Sequence, residues 1–259
     1  MINDRPRQIS NLVFAVGQAA ASAITPALGL PPVGSVSDRY PTWVVPAGYA
    51  FSIWGLIFGL CIAYAVWQML PAQRANPLLR RVGWLTAAAF AASMAWEFVF
   101  PAGMYGLSVA LIVTTLVSLA VAVGRMVAWR EPLSGPERWL VWMTCGVYLG
   151  WITVATVANV AQALTAAGVV ELGLGGETWG VVMLIAAAAI ASLVTLATRN
   201  AAYALAVIWA LAAVFVARRQ PPVLTQSDTV AYVALAAAGV VAVALLVSLT
   251  RRKTAVRHV

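Results

Sequence analysis

The chain has 259 residues, 63% hydrophobic and 9% charged, with 16 Lys+Arg against 8 Asp+Glu and a formal net charge of +8. Soluble domains carry about 25% charged and about 45–50% apolar residues, so this composition excludes a water-soluble globule, and its low polarity excludes disorder. An all-α polytopic membrane protein remains, because the apolar runs are long and Ala/Leu-rich and lack the ten-residue alternation of β-barrel strands.

A helix crosses about 30 Å of hydrocarbon with about 20 predominantly apolar residues. Eight stretches meet that condition: Asn11–Gly29, Ala47–Leu70, Val82–Phe100, Tyr105–Ala128, Trp139–Leu164, Trp179–Thr198, Ala201–Ala217 and Thr229–Leu249. The first follows Arg5 and Arg7 and contains Ala21-Ser22-Ala23, as a signal peptide would. Polar Gln18, Thr25 and Pro26 favour a retained span instead. Gly29, Pro31, Pro32 and Gly34 then form a rigid loop.

The second span opens with Pro41-Thr42-Trp43-Val44-Val45-Pro46, where Pro46 suits a first helical turn. Tyr49, Phe51, Trp54 and Phe58 follow, and Gly55 and Gly59 give a GxxxG packing spacing. The third span carries Trp96 and Glu97, the one acid inside a confident span. Glu97 reads either as an interfacial acid reaching headgroup water or as a cavity-facing carboxylate.

The fifth span places Tyr148, Trp151, Ala155, Asn159 and Gln162 at three- or four-residue steps, on one side of a helix. Amides facing hydrocarbon would be unpaired, so this side faces protein, ligand or water. A packing seam and the wall of a ligand cavity both satisfy the pattern.

Arg199-Asn200 divides the sixth and seventh spans. Fused, they would run about 39 residues, nearly 60 Å at 1.5 Å per residue and too long for one crossing. A tight hairpin and eight spans are therefore expected, with seven the alternative. With both termini cytoplasmic, every basic residue except Arg39, Arg218 and Arg219 falls on the inner side, as the positive-inside rule requires. The integral membrane protein this describes is assigned to a bacterial inner membrane.

Eleven tryptophans exceed a membrane-interface belt. Trp84, Trp129, Trp139 and Trp179 suit a belt; Trp54, Trp96 and Trp151 lie further in. The single histidine, His258, and the single lysine, Lys253, both sit in the tail. Histidine-ligated metals or haem and Ser–His or Ser–Lys hydrolysis are thereby excluded. Cys61 and Cys145 lie in apolar segments as packing residues. Catalytic residues, metal ligands and a cofactor are not assigned. Basic residues scattered between apolar runs argue against nucleic acid as a partner.

The run Pro41–Pro46 continuing to Tyr49 and Ile53-Trp54, the segment Ala95–Phe100, and Tyr148-Leu149-Gly150-Trp151 followed by Ala155 and Asn159 together resemble the tryptophan-rich sensory protein and translocator protein (TspO/MBR) family. The likeness covers about Asn11 to Leu164. It implies a five-helix unit at 1–170, with a three-helix C-terminal membrane extension and basic tail at 171–259. It further implies a cavity that binds porphyrins, haem or sterols, walled by Trp43, Pro46, Tyr49, Trp54, Trp96, Trp151 and Asn159 and lidded by Gly29 to Thr42. Tyr49 stands where the family commonly has tryptophan, Ser93 where it has asparagine, and Glu97 where it has a small or polar residue.

The function expected is a binding or sensory protein, a receptor, for a planar, largely apolar ligand: a tetrapyrrole, sterol or isoprenoid-like molecule. Tyr148, Asn159 or Glu97 would satisfy its polar edge. The alternative is a membrane enzyme or carrier acting on such a molecule, with Glu97 as its polar or acid–base group. The partners expected are the membrane and a hydrophobic small molecule or lipid, and a homodimer is an open alternative.

Overall fold

The computed structural model describes residues 4–39, 42–169, 173–220 and 225–256, and, of these, the side chains of all but 38, 39 and 251–256. Pro41 and His258, named above, lie outside the described residues, as do Glu171 and Arg257. So do the side chains of Arg39, Arg251, Arg252 and Lys253.

The described residues form an all-α membrane fold with eight helices long and apolar enough to span a bilayer. In chain order the helices are α1 (Arg5–Ile24), short α2 (Val33–Arg39), α3 (Ile53–Met69), α4 (Pro77–Val99), α5 (Tyr105–Val127), α6 (Met143–Ala166), α7 (Gly176–Thr198), α8 (Ala201–Arg219) and α9 (Asp228–Val256). All but α2 are spans. A 3-10 turn, Gly48–Ser52, leads into α3, and a π-helical turn, Glu137–Trp142, leads into α6.

Local chemistry sets the ends. Pro77 occupies the first turn of α4, and the Asn76 side chain accepts from Leu79 N–H at 3.1 Å, an N-cap. Ser134 and Glu137 form a capping box before the π turn: the Ser134 N–H and hydroxyl both donate to Glu137 Oε2 at 2.8 Å. The α7–α8 hairpin is as tight as the sequence suggests. Arg199 ends α7 in the left-handed region (φ 54°), and Asn200 caps α8 by accepting from Tyr203 N–H at 3.2 Å.

α1 packs on α3 and α4, α4 on α5, α5 on α6, α6 on α8, and α8 and α7 on α9. The C-terminal helices are therefore continuous with the first five through the α6–α8 contact. That contact is close because Gly146 faces the Asn200 side chain and Gly150 faces the Tyr203 carbonyl. By contrast, Gly55 and Gly59 are exposed and face open space within the chain.

At the N-terminal end of the bundle α1 begins earlier than hydropathy alone indicates, because its polar side chains find protein partners. Arg7, buried, donates to Gln68 Oε1 at 3.1 Å, and Asn11 donates to the Gly83 carbonyl at 2.7 Å. Thr86 donates to Asn11 Oδ1 at 2.6 Å. Asp4 receives two hydrogen bonds from Arg80, at 2.6 and 2.9 Å. Those bonds, with the Coulomb field of Arg80 and Arg7, hold the Asp4 carboxyl below its usual range against the opposing effect of burial.

Candidate functional site: an aromatic chamber under a short helix

Burying rings of this size in lipid gains little hydrophobic free energy, so their arrangement rests on packing, edge-to-face contact and hydrogen bonding. Trp54 of α3 is the hub. Its ring stacks at 29° on Trp96 of α4 with centroids 6.2 Å apart, and meets Trp151 and Tyr148 of α6 edge-on at 6.2 and 6.0 Å. Phe51 meets Trp151 edge-on at 5.8 Å, and Phe100 stacks on Trp96 at 4.7 Å. Rings from three spans and the 3-10 turn thus surround one space.

Asn159 organises its polar end. The Trp96 indole N–H donates to Asn159 Oδ1 at 2.9 Å, and Asn159 Nδ2 donates to Ser108 Oγ at 2.9 Å. The Ser108 hydroxyl spends its own proton on the Tyr105 carbonyl at 2.8 Å. Tyr148 donates to Gln18 Oε1 of α1 at 2.9 Å. Gln162, the last residue of the α6 stripe, donates to the Ser37 carbonyl of α2 at 3.0 Å, latching the short helix over the chamber.

Two adjoining cavities lie here, sharing Val33, Phe51 and Trp54. The inner one, bounded by Pro46, Trp54, Trp96, Trp151, Ala155 and Asn159, has about 30 Å³ of free volume, room for one or two waters. The outer one has about 210 Å³ and is bounded by Ser22, Thr25, Phe51, Trp54 and Glu97, with Pro26, Pro32 and Gly34 at its rim. That exceeds the roughly 150 Å³ that accommodates a benzene ring.

Three polar groups around these cavities lack partners among the described residues. They are the indole N–H of Trp54 (9% exposed), that of Trp151 (2%) and both carboxylate oxygens of Glu97 (1%). The Ser22 hydroxyl approaches Glu97 without meeting either oxygen at hydrogen-bonding geometry. Buried polar atoms are nearly always paired, so three orphans around one space are unusual.

Of the residues singled out from sequence, Pro46, Trp54, Trp96, Trp151 and Asn159 border the inner cavity and Glu97 the outer one. Tyr148 stands behind Trp54 in the bundle. Trp43 and Tyr49 are turned elsewhere: Trp43 packs under Gly180 of α7, and Tyr49, 48% exposed, sets its ring edge-on to Trp209 of α8 at 5.5 Å. The sequence reading did not place Ser22, Thr25 or Phe100 on the cavity walls and took Ser37 only as part of the expected lid. Gln8, Asn11, Ala15, Gln18, Ser22 and Thr25 recur at three- and four-residue steps along α1, a signal as regular as that of α6.

The loop expected as a lid contains a helix, α2, whose Val33 and Ser37 border the chamber. The segment after it is tied to α8. Ala47 N–H donates to the Ala213 carbonyl at 3.0 Å and Trp209 Nε1 donates to the Ala50 carbonyl at 3.1 Å. Arg218 (3% exposed) donates to the Thr42 carbonyl at 3.1 Å and to Thr225. This guanidinium, an exception in the expected orientation, is taken up by backbone carbonyls.

A family model for TSPO-like proteins matches residues 8–247. The chain belongs to that family. The match runs beyond the five spans on which the sequence likeness rests and through most of α9, so it reaches into all eight spans of this TSPO-like protein. No curated protein and no solved structure matches the chain.

Proposed function

We propose that this TSPO-like membrane protein binds a planar, largely apolar molecule in the aromatic chamber between α1, α3, α4 and α6, and acts as a sensor or receptor for it. The observation carrying this reading is the set of stacked and edge-on rings around two adjoining cavities with three unpartnered polar groups on their walls. Flat rings supply contact area, at about 0.5–1.5 kcal/mol per aromatic pair beyond burial, and a few polar atoms fix orientation.

Volume narrows the ligand class. In the closed arrangement the chamber suits one or two rings or a slender isoprenoid segment. A sterol or a tetrapyrrole macrocycle requires α2 to swing away, breaking the Gln162–Ser37 latch. With both termini on the cytoplasmic side of a bacterial inner membrane, that mouth faces outward and takes ligand from the outer leaflet or the aqueous phase.

The test is tryptophan-quenching titration of the purified full chain with protoporphyrin IX, cholesterol and a polyprenol, beside Ala155→Leu, which fills the inner cavity. Saturable quenching by at least one compound, weakened at least about tenfold in Ala155→Leu, is expected, since the added side chain overlaps the ligand. Flat titrations with all three would overturn the reading.

Buried Glu97 also favours a second reading, a carrier or enzyme acting on the same ligand, with the carboxylate as its polar or acid–base group. Flux or turnover in proteoliposomes that is lost in Glu97→Gln while binding persists would select it.

A further inference from the structure

We infer that the outer cavity is a receptor for the protonated amine of a planar amphiphile, with Glu97 as counter-ion and Phe51 and Trp54 as the rings that flank it. This rests on the chamber being a binding site, and specifies the ligand's chemistry.

An ionised carboxylate out of water without a partner is costly, and a group that supplies charge and a hydrogen-bond donor together compensates it best. Glu97 is 1% exposed, and both its oxygens lack donors among the described residues. Among the described residues lining the 210 Å³ cavity it is the sole ionisable group, so no Lys or Arg neutralises it from the cavity wall. Phe51 and Trp54 border the same space, and an aromatic face attracts an ammonium through its quadrupole. Ser22 and Thr25 add hydroxyl oxygens that can accept from the remaining N–H groups.

The alternatives fit less well. A divalent metal needs several hard or imidazole ligands, and no group of three His, Cys, Asp or Glu comes together among the described residues. A neutral alcohol gives Glu97 one hydrogen bond without balancing its charge. A carboxylate-bearing ligand would be repelled. Past the amine, the ring system extends toward Trp54 and Trp151, whose unpartnered N–H groups await an acceptor on the ligand body.

The experiment uses three near-isosteric two-ring probes: 1-(aminomethyl)naphthalene, protonated at neutral pH, 1-(hydroxymethyl)naphthalene and 1-methylnaphthalene. Each is titrated into the full chain in nanodiscs and read by isothermal titration calorimetry, with empty nanodiscs subtracted. The amine is expected to bind at least about tenfold tighter than the methyl compound, the worth of one hydrogen bond to a charged group. In Glu97→Gln the amine and methyl affinities should converge. Replacing the unpartnered buried carboxyl should leave the ligand-free melting temperature equal or higher, which checks that the variant folds. Phe51→Leu, as a second variant, should narrow the same gap.

An amine no tighter than the methyl probe in the parent chain, or a preference that persists in both variants, overturns the amine assignment. If all three probes then still saturate and Ala155→Leu abolishes them, the chamber stands as a site without that selectivity. No saturable heat with any probe overturns both readings.

Discussion

Gly150 shows how a motif residue is constrained. It sits inside the Tyr148–Trp151 motif, and a methyl group there would run into the Tyr203 carbonyl of α8, a backbone atom that cannot turn aside. Gly150→Ala should therefore lower stability by about 1–3 kcal/mol, the usual size of overpacking, and thermal unfolding in detergent measures it. Gly55→Ala and Gly59→Ala, where the added methyl meets nothing within 4 Å, should leave the melting temperature of the monomer in place. Asp4 gives a pH prediction. Its carboxyl is held below the ordinary value, chiefly by the Arg80 hydrogen bonds, so the stability it contributes is present above the unfolded-state pKa and disappears as pH falls through the lowered one. Asp4→Asn should melt lower than the parent at pH 7, and the two should converge in strongly acidic buffer.

At the scale of elements, the segment over the chamber is held from two sides: α2 by Gln162 of α6, and residues 42–50 by α8. Arg218→Leu removes donors from the Thr42 and Thr225 carbonyls, each worth about 1–3 kcal/mol when left buried and unpaired. Backbone amides of residues 42–50 should then exchange with deuterium about tenfold faster or more, while those of α4 and α5 keep their protection. Unchanged exchange over 42–50 would remove the bracing role. The spans themselves were legible in the sequence because a 30 Å apolar slab imposes one length on every crossing helix. Their starts were less so. α1 begins at Arg5 because Arg7 and Gln8 bond to Gln68 across the bundle, a long-range pairing that hydropathy cannot register. The α6 stripe was legible as an inward-facing edge. The facing of Trp43 and Tyr49 was not, because local spacing says nothing of α7 and α8 docking beside them.

For the whole molecule, the α6–α8 contact crosses the expected boundary between a five-helix unit at 1–170 and a three-helix extension at 171–259. α8 lies along α6 and reaches the segment before α3, so we propose that the two parts depend on each other. Within lipid, helices associate through close packing and hydrogen bonds; at the α6–α8 seam Gly146 and Gly150 admit close approach and Asn200 Nδ2 donates to the Trp142 carbonyl at 3.1 Å. A chain ending at residue 170 should elute as aggregate in fluorescence-detected size-exclusion chromatography, and co-expression of 171–259 should restore a monodisperse peak. A monodisperse 1–170 that binds ligand as the full chain does would show independent units.

Arg218 and Trp209 brace backbone that was synthesised well over a hundred residues earlier. During biogenesis the first six spans are therefore made while the carbonyls of Thr42 and Ala50 still await their donors. The mouth of the chamber is therefore completed only once α8 is in place, and the order of synthesis makes it one of the later parts of the bundle to close.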